Sequence, residues 1–215
     1  MNFFDVFAKI LPALMEGLPV TLNLFWVTLV FSIPLGFLIA LVRVSKIKLL
    51  QMVAGFYIWV VRGTPLLLQI FFIYFVLPYI GIRLDNFFSA AVAFVLNYAA
   101  YFAEIFRSGI GAIDKGQYEG AKALGFTKRQ TMGRIIIPQM VRIVLPPVSN
   151  ETITLVKDTS LVSIVSLADL MLTTKKMVNT LASPMPYAVA AVFYLAMTFI
   201  LTIIFRTLEK KLCTY

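Results

Sequence analysis

Four stretches of this chain, residues 17–42, 63–82, 86–103 and 177–205, run without a charged side chain. A membrane-crossing helix needs about 20 consecutive apolar residues, so runs of this length point to a bilayer rather than to a soluble core. A fifth stretch, 143–168, is also hydrophobic but holds Glu151, Lys157 and Asp158. The pattern predicts five transmembrane helices near 17–41, 55–80, 86–107, 143–166 and 187–206, in an all-α integral membrane protein with one domain over 1–215. Composition agrees, with 60% hydrophobic and 13% charged residues, against about 45–50% and about 25% in soluble domains. In a soluble chain the net charge of +9 would point to nucleic acid. Here it is read as basic residues collected at the cytoplasmic ends of helices. There is no His, and Cys213 is the single cysteine. These counts exclude an intrachain disulfide, a His/Cys metal site and a Ser-His-Asp triad.

Alternate loops of a five-span protein share a side. Arg43, Lys46 and Lys48, seven Lys or Arg from Arg107 to Arg142, and Arg206, Lys210 and Lys211 fall on one side. Lys9, Arg83, Lys175 and Lys176 fall on the other. This 13-to-4 split predicts a cytoplasmic C-terminus and an external N-terminus. The first apolar run is too long and too late for a cleaved signal peptide, and Asp5 and Glu16 offset Lys9 ahead of it. Residues 1–16, with Phe3, Phe4, Phe7, Ile10, Leu11 and Leu14, predict a short amphipathic helix on the outer surface. Trp26 and Trp59 are read as packing residues rather than interfacial anchors. Pro184 and Pro186 are expected to end a helix before the last span.

The longest cytoplasmic segment is 109–140. Residues 117–124 are strong helix formers, Gly125 is a natural C-cap, and a second helical stretch over 128–137 is expected to end at Pro138. The result is a helix–turn–helix unit on the membrane surface, suited to docking a cytoplasmic partner. Its residues read Glu119-Gly120-Ala121, three residues, Gly125, nine residues, Ile135, one residue, Ile137-Pro138. This resembles the motif Glu-Ala-Ala, three residues, Gly, nine residues, Ile, one residue, Leu-Pro of permease subunits in binding-protein-dependent ABC importers. Gly120 replaces Ala and Ile137 replaces Leu.

Further strings narrow the resemblance. Gly17 to Leu22 reads GLPVTL, Arg62 to Leu67 reads RGTPLL, Ala103 to Arg107 reads AEIFR, Ser149 to Glu151 reads SNE, and Leu155 to Leu161 reads LVKDTSL. Together they look like permeases for polar amino acids of the histidine, glutamine, arginine and cystine type. The resemblance implies a type I importer (MetI-like) transmembrane domain in the bacterial cytoplasmic (inner) membrane. It implies a second permease copy, as a homodimer or heterodimer, a separate ABC ATP-binding subunit dimer, and an extracytoplasmic solute-binding protein. Glu119, Gly120, Ala121, Gly125, Ile135 and Pro138 would carry the coupling to the ATPase. The chain itself has no GxxxxGK[ST] phosphate loop, since Phe126 stands where the nearest approach needs Lys. No cofactor is expected of it, ATP being bound by the partner subunit.

Charges within a span cost about 2.5–3.5 kcal/mol each on insertion scales, so those of the fourth span need a reason. Glu151, Thr154 and Asp158 are i, i+3 and i+7 and share a face, with Asn150, Thr154 and Lys157 on an overlapping one. The stripe is about 10 Å long at about 1.5 Å per residue, enough for a zwitterion. Glu151 would take a substrate ammonium, and Arg62 or Lys157 its carboxylate. Structural pairing of these residues with other helices, or of Asp158 with Lys157, is the competing assignment. Gly63-Thr64-Pro65 breaks a helix, and freed backbone groups require protein or a water-filled cavity beside them. Residues 62–69, including Arg62, Thr64 and Gln69, are therefore assigned to the path with Asn97. Asn97 and Tyr98 are mid-span and would also serve as hydrogen-bonding links between helices. Glu104 and Arg107 are spaced for an ion pair.

The leading assignment is an ATP-driven amino-acid importer permease, not itself an enzyme. An importer of the same architecture for methionine or another small solute is the alternative. A membrane enzyme using Glu104, Glu151 or Asp158 as acid or base leaves the loop motif unexplained. The charge asymmetry makes a direct prediction. An impermeant thiol reagent applied outside should label a cysteine placed at Lys175 and not one at Lys128, and the reverse pattern would invert the topology.

Overall fold

The computed structural model describes residues 3–213, and side chains from 7 to 212. Among the described residues, all regular structure is helical. Helix α1 spans Phe3–Arg43 and carries Pro12, Pro19 and Pro34 without interruption. The separate amphipathic helix expected over 1–16 is therefore not formed. Its Ile10 and Leu14 are fully buried in a cluster with Leu170 and Val189. Packing against later helices, rather than lying on a membrane surface, is what uses its apolar face. Phe3 and Phe4 have side chains outside the described range.

The second apolar run is a broken helix. Helix α2 spans Lys48–Arg62 and α3 spans Leu66–Phe71. A π turn at Phe72–Val76 and a 3-10 turn at Leu77–Ile80 prolong α3. The two arms meet at 104°. The single span expected over 55–80 is thus bent at residues 63–65, because Pro65 has no N–H to continue α2 and its ring fixes φ at −61°.

Helix α4, Asn86–Gly111, is the spine of the fold and contacts α1, α2 and α3. Phe94, Tyr98 and Phe102 on α4 are among the largest fully buried side chains. Between them Ala90, Ala93, Ala99, Ala100 and Ala103 are buried as well. Small residues let helix backbones approach closely where lipid supplies no hydrophobic drive between helices. Gly36 of α1 marks one such approach: a Cβ there would lie 2.8 Å from Phe102 Cβ and 2.9 Å from the Ala99 carbonyl oxygen.

Helix α5 is Lys115–Ala123 and α6 is Lys128–Thr131. A π turn at Met132–Ile136 then runs without a break into α7, Ile137–Asp158. Pro138, expected to stop a helix, instead lies in the first turn of α7. The wider turn before it moves away the carbonyl that a proline ring would strike in regular α-helix. After a 3-10 turn at Thr159–Val165 come α8, Leu170–Leu181, and α9, Met185–Cys213. Helix α7 packs against α4 and α9. The Leu170 N–H donates to Thr21 Oγ1 at 3.1 Å and ties α8 to α1.

Among the described residues, three helices are long and apolar enough to cross a membrane unaided: Phe7–Arg43, Asn86–Gly111 and Met185–Leu212. The bent pair of α2 with α3 and its extension is a fourth candidate crossing. Phe31, Leu38, Phe56, Leu195 and Phe199 face outward, as lipid-facing side chains must. Trp26 and Trp59, expected in the packing, also face outward at 55% and 71% exposure.

The α1–α4 contact gives a test. Gly36→Val should push the two helices apart, cost about 1–3 kcal/mol as overpacking, and lower the melting temperature in detergent. Gly111→Ala, where a Cβ meets nothing within 4 Å, should leave it unchanged. Equal melting of both variants would refute the close approach.

Candidate functional site

The break at residues 63–65 leaves the last carbonyls of α2 without helical partners, and side chains supply them. Thr64 Oγ1 donates to the Val60 carbonyl at 2.9 Å. The Gln69 amide nitrogen lies 2.7 Å from the Val61 carbonyl, 3.2 Å from that of Thr64 and 2.8 Å from Thr64 Oγ1. From α4, Asn97 Nδ2 donates to Gln69 Oε1 at 3.0 Å. A chain of polar side chains from three elements thus holds the bend open.

Facing it is α7. Beside the bend lies a cavity of about 640 Å³, lined by Arg62, Thr64, Asn97, Tyr98, Tyr101, Glu151, Thr154 and Asp158 among others. Glu151, Thr154 and Asp158 share this wall, as their helical spacing requires. The Tyr98 hydroxyl donates to Asp158 Oδ2 at 2.8 Å. So Asp158 is held by α4, not by its neighbour Lys157. Glu151 is half-buried and has no salt-bridge partner within 4 Å among the described residues. The Arg62 guanidinium carbon sits 5.2 Å from the centre of the Tyr101 ring, a cation–π contact. A carboxylate without a bonded cation and a guanidinium resting on a ring, both lining one cavity, can receive an ammonium and a carboxylate.

The other residues assigned from the sequence are placed elsewhere. Gln69 lies behind the bend, its amide engaged by the broken backbone, and lines a neighbouring apolar groove. Asn150 is exposed on another face of α7. Lys157 is exposed and borders an apolar groove with Tyr187 and Tyr194. Tyr101 was not singled out by sequence reasoning. It stands four residues after Asn97 and three before Glu104, on the same side of α4, and that spacing is the signal that would have found it. Glu104 and Arg107 form the expected ion pair, with Arg107 Nε 3.1 and 3.0 Å from the two carboxylate oxygens.

The loop between α4 and α7 is built to stand out from the body. Asp114 caps α5 by accepting from the Gly116 N–H at 2.7 Å. The helix closes with Phe126 N–H donating to the Ala121 carbonyl and Gly125 N–H to that of Lys122, both at 3.0 Å. That pair of bonds needs a left-handed residue, and Gly125 takes it at φ +76°. Thr127 and Gln130 form a capping box for α6. Glu119 and Gly120 are exposed on α5, Ala121 is buried beneath them, Ile135 is half-buried in the π turn and Pro138 is exposed. Gln139 of α7 donates to Gln117 Oε1 at 3.2 Å and fastens α5 to the long helix.

Known proteins share this architecture and sequence. The chain is 38% identical to a putative glutamine transport system permease protein, GlnP, of Rickettsia bellii (strain RML369-C), over 97% of this chain and 98% of that one. It is 38% identical to the arginine transport system permease protein ArtQ of Bacillus subtilis (strain 168), over 94% and 93% of the two chains. With the L-cystine transport system permease protein TcyB of the same organism, identity is 37% over 95% and 88%. The crystal structure of an amino acid ABC transporter with histidines superposes with a TM-score of 0.91 at 35% identity, covering 99% of each chain. An inward-facing MetNI methionine ABC transporter structure matches the fold with a TM-score of 0.77 at 17% identity, over 95% and 98%. The family of binding-protein-dependent transport system inner membrane components matches residues 32–213, and this chain belongs to it.

Proposed function

We propose that this chain is the permease subunit of an ATP-driven importer of polar amino acids, and that the cavity between the bend and α7 receives the solute. The observation that carries this reading is that Arg62, Glu151 and Asp158 line one cavity. Zwitterions need both signs within a few ångströms, and a membrane interior tolerates such charges only where protein or water faces them. Relatives named for glutamine, arginine and cystine transport support the solute class. Thr64, Asn97 and Thr154 add hydrogen-bonding groups to the wall.

Two such chains, or one with a close relative, would enclose the path in the bacterial inner membrane, with the N-terminus outside. A separate ATP-binding subunit would grip α5, and a solute-binding protein would deliver the amino acid to the outer face. Movement of α5 on ATP binding would pass through the α6–α7 rod to Glu151 and Asp158, giving alternating access by rigid-body motion.

Two measurements test this. Glu151→Gln keeps shape and removes charge. It should leave the melting temperature of the complex unchanged but lower uptake per folded complex at least roughly ten-fold, the loss of a charged hydrogen bond of about 1.5–3 kcal/mol. Unchanged uptake would remove Glu151 from the path. In the docking loop, Gly125→Val forces a branched residue to φ +76°, at about 1–2 kcal/mol. That variant and Glu119→Lys should both insert normally yet lose co-purification with the ATP-binding subunit. Full retention of that subunit by both would sever α5 from ATPase docking.

A further inference from the structure

A second cavity, of about 330 Å³, lies on the docking-loop side of the first and is bounded by Glu104, Ser108, Ile143 and Pro147 among others. The two cavities have three residues in common, Arg62, Tyr101 and Glu151. These three come from α2, α4 and α7, the elements that make the bend, the spine and the rod. The two chambers therefore adjoin at these three residues.

Arg62 is the cationic member of the set. It is the last residue of α2, directly before the break, and it is exposed. Its guanidinium rests on Tyr101 and has no salt-bridge partner within 4 Å among the described residues. Glu104 lines the second chamber alone, whereas Glu151 lines both. Glu104 is already engaged by Arg107. A cation held only by a ring face and bonded to no carboxylate gives up a modest contact when an anion draws it away.

We infer that Arg62 stacked on Tyr101 is a gate between the two chambers, and that the carboxylate of the solute opens it by drawing the guanidinium off the ring. The inference rests on the proposal that these cavities are the solute path. It adds a selectivity rule: a solute with an ammonium but no free carboxylate occupies the first chamber without passing to the second. No covalent step is involved. One ion–ring contact is exchanged for one ion pair, and Tyr101 holds the closed position through its ring rather than its hydroxyl.

The test uses the assembled complex in proteoliposomes, with Cys213→Ser as background. Single reporters Thr154→Cys, in the first chamber, and Ser108→Cys, in the second, are exposed to an impermeant thiol reagent from the face opposite the docking loop. Thr154→Cys should label and Ser108→Cys should not. Adding Arg62→Ala or Tyr101→Ala should raise labelling of Ser108→Cys roughly ten-fold or more, whereas Tyr101→Phe and Arg62→Lys, which keep ring and charge, should hold it near the parent rate. Co-purification of the ATP-binding subunit confirms that each variant is assembled. An unchanged rate in Arg62→Ala, or equal rates in Tyr101→Phe and Tyr101→Ala, overturns the gate while leaving the path reading intact. Failure of Thr154→Cys to label overturns the path reading and the gate with it.

Discussion

Inside a bilayer every backbone N–H and C=O must find its partner within the protein. The bend between α2 and α3 is where this chain meets that requirement without a continuous helix. Pro65 and Gly63 end one helical ladder, Thr64 and Gln69 satisfy carbonyls set loose, and Asn97 donates to Gln69 Oε1 in turn. Because those side chains must sit beside the bend, α4 has to pass close to it, and the small residues of α4 permit that approach. The cavity is what remains between the bend and the rod once the polar groups have been paired. Its polarity follows from the break.

The same geometry divides labour among the acidic residues. Glu104 is tied to Arg107 and Asp158 to Tyr98, while Glu151 has no bonded cation. An acid already engaged within its own fold is poorly placed to bind and release a passing solute. Glu151, half-buried and facing Arg62 across the cavity, is the acid whose interaction is left for something else.

Much of the architecture was legible because apolar runs of bilayer length admit few folds. The break was legible too, since Gly63-Thr64-Pro65 cannot continue a helix, and so was the shared face of Glu151, Thr154 and Asp158. What failed were readings that needed tertiary partners. Ile10 and Leu14 carry an amphipathic pattern that fits a membrane surface as well as a groove between helices, and only the presence of Leu170 and Val189 decides. Gln69 has the chemistry of a solute-binding residue, yet carbonyls eight and five residues before it claim its amide. Pro138 reads as a stop because a local rule cannot anticipate a π turn directly before it. Tyr101 carries no charge and no motif, and only its spacing from Asn97 and Glu104 along α4 marks it in the sequence.

The π turn at Met132–Ile136 amounts to one residue inserted into an otherwise continuous rod. One residue corresponds to about 100° of rotation about a helix axis. The azimuth at which α6 leaves the docking loop is therefore offset from the azimuth at which Glu151 and Asp158 meet the cavity. Relaxing this turn to regular α-helix would wind the upper rod like a screw, carrying the acidic face away from the bend without any sideways travel. The angle between the two ends of the rod is thus set by this turn and by the count of residues between Thr131 and Glu151.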